Sequence, residues 1–288
     1  MELIRTCVAL RSATDAWRAS DLDVGLVPTM GALHEGHDAL IERARRDRDR
    51  VVVSIFVNPS QFVRGEDFDR YPRDEAADLA RAEAHGADVV WAPPVDEMYP
   101  PGAALPEPDP GRIGTAFEGA ERPGHFAGVL KAVHRLLDVV GPCAAYFGEK
   151  DAQQLAIVRR LVADFAVPAT IVAVQTVREP DGLALSSRNR HLTPDERRLA
   201  PALYQALCEA DRLIMSGVRD VDAITNAAVT HVLSHPSLRL EYFEIVEPED
   251  MQPVTSVTAP VRVAGSLWVG STRLIDNLLS VPFGLRVP

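Results

Sequence analysis

The sequence predicts an α/β protein in which a doubly wound, mostly parallel sheet is followed by a smaller α+β C-terminal domain. Strand-like and helix-like segments alternate through the first two-thirds of the 288 residues, a pattern typical of parallel sheets. After Val177 the order changes to a turn-rich segment, then helices, then strands. A chain of this length usually forms one large domain or two, and we predict two, spanning 1–176 and 177–288.

The elements of the first domain follow from hydrophobic patterning. Apolar, β-branched runs predict strands at 24–27, at "VVVSIFV" (51–57) and within "ADVVWAP", "AAYFG" and "ATIVAVQTV". Apolar residues at helical spacing predict helices from Gly36, at 74–85, at 126–140 and within "DAQQLAIVRRLVADF". The proline-rich stretch 93–112 cannot be one regular element, so it is either a surface loop or a lid.

The second domain begins with a recognisable helix start. In "TPDE", Thr193 is the expected N-cap, Pro194 the first helical residue and Glu196 the partner in a capping box. A long helix to about Ser216 should follow, then a second near 220–234. The segments "LRLEYFEIV" and "VRVAGSLWVG" are expected to be strands of a small mixed sheet.

Composition excludes several classes of protein. The net charge of -11 and the pI of about 5.2 argue against nucleic acid as a partner, and an anionic substrate would need a locally basic site. The three cysteines are far apart, which fits neither a disulfide framework nor a zinc motif and favours the cytoplasm. We expect no signal peptide, because the N-terminus has no uninterrupted apolar segment, and no membrane helix, because no apolar run approaches about 18 residues.

Four polar stretches follow four of the predicted strands. They are "PTMGALHEGH", "NPSQF", "GEKDAQQ" and "REPDGLALSSRN". Doubly wound sheets bind ligands beyond the carboxyl ends of their strands, so these stretches predict one ligand site. Each stretch alone would be weak evidence, but four at equivalent places in the architecture are difficult to assign to chance.

His34 and His37 lie in the first stretch, as H-E-G-H. Zinc proteases need H-E-x-x-H, which has one more residue, and no third ligand lies nearby. A turn between a strand and a helix instead offers backbone N–H groups and a positive dipole end to phosphate. A phosphate role is therefore favoured over zinc, while exposed loop histidines would be the reading of this stretch alone.

The other stretches supply further phosphate and substrate ligands. Lys150 is a compact cation at a helix start, although pairing with Glu149 or Asp151 is the ordinary alternative. Two hydroxyls and a guanidinium occur together at 186–188, and the alternative there is a polar turn. Gln61 and Gln154 are uncharged and suited to the hydroxyl or carboxylate of a small substrate, although Gln154 taken alone would be read as a solvent-facing helix position.

At these residues the chain resembles the pantoate–β-alanine ligase family over nearly its whole length. The shared motifs are "PTMGALHEGH", "FVNPSQF", "YPR", "HFAGVL", "FGEKDAQQL", "REPDGLALSSRN" and "TRLIDN". H-x-G-H alone indicates only a nucleotidylyl-transferase superfamily that includes class I aminoacyl-tRNA synthetases, whereas the other motifs are more specific. The resemblance implies a Rossmann-like N-terminal domain, a smaller C-terminal lid and a homodimer. It also implies ATP, Mg²⁺, (R)-pantoate and β-alanine.

The resemblance also implies roles for individual residues. ATP would contact Met30, Gly31, Ala32, Leu33, His34, Glu35, Gly36, His37, Gly148, Glu149, Lys150, Asp151, Val177, Leu185, Ser186, Ser187 and Arg188. His34, His37 and Lys150 would be catalytic, with His37 as proton donor. Pantoate would contact Gln61 and Gln154, and β-alanine would contact Gln61. Asp78 resembles a metal-side aspartate, although Ala77 stands where many relatives have a second acidic residue, and Leu185 replaces a usual methionine.

The implied chemistry is an acyl adenylate formed from pantoate and ATP, which the amine of β-alanine then attacks. It needs positioned donors and cations and no protein nucleophile. Two alternatives remain: another adenylate-forming ligase on the same scaffold, and a nucleotide-binding sensor without catalysis. A tRNA synthetase is disfavoured by the acidic charge and by the lack of an anticodon-binding region.

Overall fold

The computed structural model of the chain describes residues 1–62, 68–69 and 71–283, and every structural statement concerns these residues. They fall into two compact units. The first comprises Met1–Gly148 and Gln153–Gln175, and the second comprises Glu149–Ala152 and Thr176–Pro288. The predicted domain boundary at 176/177 stays a prediction, and the short segment 149–152 groups with the second unit rather than with the strand that precedes it.

The first unit is built on a six-stranded parallel sheet. Its strands are β1 (Glu2–Ile4), β2 (Val24–Thr29), β3 (Arg50–Ile55), β4 (Val89–Trp91), β5 (Cys143–Gly148) and β6 (Ala169–Val174). Their order is β1-β4-β3-β2-β5-β6, so the chain moves outward from β2 through β3 to β4 and then returns to the other side of β2. The predicted doubly wound α/β architecture is confirmed, and the strand order reverses between β2 and β5.

Seven helices accompany this sheet in the described part of the chain. They are α1 (Cys7–Arg18), α2 (Glu35–Asp47), α3 (Glu75–Ala84), α4 (Val95–Met98), α5 (Glu118–Glu121), α6 (His125–Val140) and α7 (Ala152–Asp164). The helical spacing that predicted a helix at 126–140 is confirmed by α6, whose apolar face is buried. β1 and α1 were not predicted.

Burial explains why β3 reads as a continuous apolar run. Val51, Val52 and Val53 are each fully buried although successive strand residues point to opposite faces, so both faces of the sheet are covered. Ile41 and Ala44 of α2 belong to the same core cluster as Val51 and Val53. Fully burying a valine or isoleucine side chain contributes about 1.5–3 kcal/mol, so this packing fixes α2 on the sheet.

The second unit contains three helices and an antiparallel sheet among its described residues. They are α8 (Pro194–Leu199), α9 (Ala202–Met215), α10 (Val221–Ser234), β7 (Leu238–Val246), β8 (Val261–Val269) and β9 (Thr272–Ser280). The sheet order is β7-β8-β9 with antiparallel pairing throughout, so the expected mixed sheet was wrong and β9 was not predicted. The hydrophobic core of this unit includes Leu207, Ile214 and Val263.

The helix predicted to follow Thr193 begins where expected but ends earlier than predicted. Thr193 caps α8, Pro194 is its first residue, and the capping box with Glu196 is present. The expected single helix to about Ser216 is divided into α8 and α9, because Pro201 has no N–H to continue the ladder and serves instead as the N-cap of α9.

The proline-rich stretch 93–112 is not one regular element, as predicted. It contains the short helix α4 and the start of a 3-10 turn at Gly111–Thr115. None of the helices in the described ranges is long and apolar enough to cross a membrane.

Candidate active site

The turn after β2 places Met30 to His37 at the carboxyl end of the sheet, next to the reversal in strand order. Gly31 and Ala32 both have positive φ angles, +82° and +52°. With this backbone the N–H groups of Ala32 and Leu33 point into one small concavity, where a single carboxylate accepts both. The sequence therefore builds an anion site from backbone alone.

The anion in that concavity is the carboxylate of Asp78, from α3. Its Oδ2 accepts the N–H of Ala32 at 2.9 Å and its Oδ1 accepts that of Leu33 at 2.7 Å. Asp78 is only 4% exposed, and the N–H of Gly31 bonds to Thr29 Oγ1 at 3.1 Å. The N–H groups of Gly31, Ala32 and Leu33 are therefore already engaged by Thr29 and Asp78, contrary to the expectation of free N–H groups, while the ATP contacts predicted for Met30 to His37 stay a prediction.

His34 and His37 cap α2 reciprocally. His34 Nδ1 accepts the N–H of Gly36 at 3.1 Å, and His37 Nδ1 accepts the N–H of His34 at 3.2 Å. A ring nitrogen that accepts a hydrogen bond carries no proton, so each neutral imidazole holds its proton on Nε2. The two rings lie 4.2 Å apart between centroids, at the end of the helix where its dipole is positive.

The glycine of H-x-G-H has a steric reason. A Cβ added at Gly36 would lie 2.9 Å from Cε1 and 3.0 Å from Nδ1 of the His34 ring. Any side chain there would push the imidazole out of its cap. Gly36 therefore keeps His34 oriented as well as starting the helix.

Gln61 is held by a network that the sequence motifs do not reveal. It ends a 3-10 turn at Pro59–Gln61, and its Oε1 accepts a hydrogen bond from Asn58 Nδ2 at 3.0 Å. Its Nε2 lies 2.8 Å from the sulfur of Met30, so two predicted site residues meet here. The Gln61 oxygen therefore accepts from Asn58, and its NH₂ group donates to the Met30 sulfur.

Asn58 is buried, at 1% exposure, and orients Gln61. Its Nδ2 also donates to Gly128 O at 3.0 Å, and its Oδ1 accepts from Tyr99 Oη at 2.8 Å. Burial raises the pKa of the Tyr99 hydroxyl to about 12, although a hydrogen bond with Ser60 opposes this, so the hydroxyl keeps its proton at neutral pH. Asn58 and Tyr99 were missed by the sequence analysis.

Helix α6 closes against the turn that carries Gln61. A Cβ at Gly128 would lie 1.9 Å from the carbonyl oxygen of Ser60, so only glycine allows this approach. His125 Nδ1 also bonds to the Gln61 carbonyl at 2.8 Å. The "HFAGVL" segment is thus the support of the "NPSQF" segment.

A cavity of about 390 Å³ opens in the first unit next to Met30. Met30, Asp78, Ile55 and Val57 line it, together with the ion pair of Arg5 and Glu75 and residues near Pro94. It lies at the carboxyl ends of β3 and β4, where this class of sheet binds ligands.

Gly148 and Gln154 also belong to the first unit, at the end of β5 and in the first turn of α7. Gln154 is partly exposed, and none of the hydrogen bonds between described residues joins it to another predicted site residue. Its neighbour Gln153 is buried and donates to the carbonyls of Ile113 and Ala116 at 2.6 and 2.8 Å. Gln153 is therefore structural, whereas the partly exposed Gln154 is accessible to a ligand.

In the second unit, Lys150, Ser186 and Arg188 line one small cavity of about 10 Å³. That volume is about one water molecule, so a larger ligand would bind at its rim. Lys150 Nζ lies 3.8 Å from Asp151 Oδ1, a long ion pair that leaves the ammonium available to other anions. Ser186 Oγ accepts the N–H of Arg188 at 3.3 Å, while Glu149 and Ser187 do not line the cavity.

Val177 and Leu185 are brought together by a short antiparallel turn. The Leu185 N–H donates to Val177 O at 2.9 Å, beside a bridge between Arg178 and Ala184. Arg178 makes a bidentate ion pair with Asp276 at 2.6 and 2.9 Å. The structure therefore ties the "REPDGL" segment to the "TRLIDN" segment, a link between residues about 98 apart that sequence reasoning missed.

Metal ligands are few around these residues. Within the described ranges no group of three or more His, Cys, Asp or Glu side chains could hold a metal ion. Mg²⁺ commonly takes only one or two carboxylates together with substrate phosphates and water, so it does not require such a cage. Asp78 as a metal ligand stays a prediction, since both of its oxygens already accept backbone N–H groups.

The histidine-capped helix lies at the reversal point of a doubly wound sheet, which is where α/β proteins of this class bind their ligands. Residues 2–279 match the family model described as pantoate-beta-alanine ligase. The chain belongs to this family of ligases.

Relatives and solved structures agree. The pantothenate synthetase of Moorella thermoacetica is 45% identical over 97% of this chain and 98% of its own. A bifunctional pantoate ligase/cytidylate kinase of Synechococcus is 48% identical over 99% of this chain, which spans 53% of that longer protein. The crystal structure of pantothenate synthetase from Thermus thermophilus has a TM-score of 0.90 at 45% identity, covering 98% of this chain and 100% of that one.

One further solved structure contains bound ligands. A pantoate-beta-alanine ligase from Francisella tularensis, solved as a complex with β-γ ATP and β-alanine, has a TM-score of 0.78 at 33% identity. It covers 97% of both chains.

Proposed function

We propose that the chain condenses (R)-pantoate with β-alanine at the expense of ATP, giving pantothenate, AMP and pyrophosphate through a pantoyl adenylate. The observation that carries this is the reciprocal cap that fixes the rings of His34 and His37 through Nδ1, on a chain of this family. The Francisella relative, solved with an ATP ligand and β-alanine, supports the same two substrates here.

In the first step a carboxylate oxygen of pantoate attacks the α-phosphorus of ATP. A P–O bond forms to the carboxylate, the bond to the bridging oxygen breaks, and pyrophosphate leaves with that electron pair. Negative charge grows on the phosphate oxygens, and His34 and His37 donate to them from Nε2. Because both rings are fixed through Nδ1, these donors need no reorganisation when the charge develops.

In the second step the neutral amine of β-alanine attacks the carbonyl carbon of the adenylate. The C–N bond forms, the C–O bond to AMP breaks with its electron pair on AMP, and the nitrogen releases its extra proton to solvent. Both steps need positioning and no protein nucleophile, in agreement with a site that consists of donors and amides.

Gln61 supplies recognition of the acid. Because its Oε1 is engaged by Asn58, its NH₂ group donates to the oxygen atoms of pantoate and, in the second step, lies beside β-alanine. Gln154 is proposed as a second pantoate ligand, since its amide is partly exposed.

The remaining ATP contacts are proposed from the resemblance and from local geometry. Lys150, Ser186 and Arg188 share one cavity and would bind the triphosphate, with Ser187 beside them. Val177 and Leu185, joined by their backbones, would contact the nucleotide. Gly148, Glu149 and Asp151 complete the proposed set, with Met30–His37 in the first unit. Movement of the C-terminal domain as a lid stays a proposal.

Mg²⁺, the homodimer and the cytoplasm are proposals as well. Mg²⁺ would neutralise charge on the triphosphate, with Asp78 as its candidate protein ligand. Cys7, Cys143 and Cys208 are unpaired thiols, as expected in a reducing compartment.

The test is product formation by the purified chain. Incubation with ATP, pantoate and β-alanine should give AMP and a product with the mass of pantothenate in equal amounts. Other small hydroxy acids and amines should give much less, and a better acid substrate would favour the alternative ligase. ATP binding without any AMP would indicate the sensor.

A further inference from the structure

The loop that carries Lys150 is held by a residue more than 120 positions away. The side-chain Nδ2 of Asn277, on β9, donates to the carbonyl oxygens of Glu149 and Lys150 at 2.8 and 2.9 Å. All three residues belong to the second unit. One amide group therefore fixes two successive peptide units at the base of the lysine side chain.

The other end of the amide is engaged too. Asn277 Oδ1 accepts a hydrogen bond from the guanidinium of Arg262, and its backbone N–H donates to Asp276 Oδ1 at 2.8 Å. Asn277, Arg262 and Asp276 are each about 5–6% exposed. Carbonyls only accept and guanidinium only donates, so this set of partners requires an amide. Aspartate would keep the contact with Arg262 and lose both contacts with the loop.

The carboxylate of Asp276, next to Asn277, is already paired with a cation. Asp276 forms a bidentate pair with Arg178, whose guanidinium lies 4.1 Å from the centre of the Tyr204 ring. Asp276 and Lys150 line the same cavity, but Arg178 neutralises that carboxylate and leaves the lysine available to an anion. The network therefore stabilises the position of Lys150 without consuming its charge.

From this geometry we propose that Asn277 is a positioning residue of the ligase: by holding the Glu149 and Lys150 carbonyls it sets where the Lys150 ammonium lies relative to Ser186 and Arg188. The inference rests on the proposed function, because it assumes that Lys150 binds phosphate during adenylation. Displacement of a catalytic group by about 1 Å can cost on the order of 100-fold in rate.

The experiment measures each half-reaction in four forms of the full chain: wild type, Asn277→Asp, Lys150→Ala and the double variant. We expect Asn277→Asp to slow the pyrophosphate burst from ATP and pantoate about 10- to 100-fold. Aminolysis of supplied pantoyl adenylate should stay within about threefold, since it involves no triphosphate. The double variant should be as slow as Lys150→Ala, within about twofold, because Asn277 acts through Lys150.

Two further variants separate positioning from folding. Asn226→Asp introduces the same change at an exposed position of α10 in the same unit, and its burst should equal that of wild type. Asn277→Ser adds no charge, and its side chain is too short to hold both carbonyls, so it should also slow the burst. It serves as the test if Asn277→Asp does not fold. Thermal unfolding of each variant reports whether the fold is retained.

Several results would overturn the proposal. Equal slowing of both half-reactions, or a double variant slowed by the product of the two single factors, would make Asn277 merely structural. A normal burst in Asn277→Asp and Asn277→Ser would also overturn it while leaving the proposed function intact. If wild type gives no burst, or Lys150→Ala is normal, the proposed function or the role of Lys150 fails first, and this inference fails with it.

Discussion

Two helices in this chain begin with the same arrangement built from different residues. Helix α8 starts with Thr193 and Glu196, the ordinary partners of a capping box, at 3.3 and 2.8 Å. Helix α2 starts with His34 and His37, which exchange equivalent roles through their Nδ1 atoms. Threonine at an N-cap is a common solution for stability, whereas imidazole is an unusual one.

The difference shows what the histidines add. A threonine–glutamate box satisfies backbone N–H groups and leaves no donor directed at a ligand. A histidine box satisfies the same groups and keeps an Nε2–H on each ring as a further donor. We propose that the cap of α2 combines helix start and phosphate recognition, whereas the cap of α8 is a helix start alone.

The largest predicted effect comes from exchanging one cap for the other. His34→Thr combined with His37→Gln rebuilds a neutral capping box at α2 without adding charge. The free energy of unfolding should change by no more than about 1 kcal/mol. The adenylation burst should slow by about 10²–10³, because preorganised donors to the phosphate are lost.

Thr193→Ala is the matched control. Losing this cap should lower the free energy of unfolding by about 1 kcal/mol, as measured by urea denaturation, with little change in the adenylation burst. A normal burst in the exchanged cap, or a burst lost equally in both variants, would mean that the histidines only cap.

The next effect concerns support from outside the helix. The turn before α2 depends on Asp78, whose carboxylate accepts the N–H groups of Ala32 and Leu33, whereas the box of α8 is local. Asp78→Asn sets an NH₂ group against one of these donors. It should lower the free energy of unfolding by about 1–3 kcal/mol in urea.

Asp74→Asn, at the N-cap of the same helix α3, is the control. Asparagine caps as well as aspartate, so the change in unfolding free energy should be near zero. If Asp78→Asn leaves stability unchanged and weakens only the dependence on Mg²⁺, Asp78 is a metal ligand and not the support of the turn.

A smaller effect involves the network behind Gln61 and has a pH signature. Burial raises the pKa of Tyr99 to about 12 from about 10 in the unfolded chain. A raised pKa adds stability that is fully present below pH 10 and is lost as pH rises toward 12. The stability difference between wild type and Tyr99→Phe should therefore be constant to about pH 10 and shrink above it.

Urea denaturation of both forms between pH 8 and about pH 12 measures this difference. A difference that stays constant from pH 8 to about pH 12 would mean that the tyrosine titrates in the folded protein as it does in the unfolded chain, and that it does not hold Asn58 as described.

Much of this molecule could be predicted from sequence where the determinants are local. Alternating strands and helices gave the sheet, and "TPDE" gave the cap of α8 with its individual residues. Roles that depend on distant contacts could not be predicted. Asp78 reaches the turn from about 45 residues away, and Asn277 reaches Lys150 from 127 positions away. Pro201 was visible, yet the helical pattern on both sides of it concealed the break.

The central claim is that this site forms an acyl adenylate before the amine reacts, and the most direct measurement is pyrophosphate release without β-alanine. ATP and pantoate alone should give a burst of about one equivalent per site, and labelled pyrophosphate should exchange into ATP, because adenylation is reversible and separate from aminolysis. If no pyrophosphate appears and no label exchanges until β-alanine is added, the two-step account of this site is contradicted.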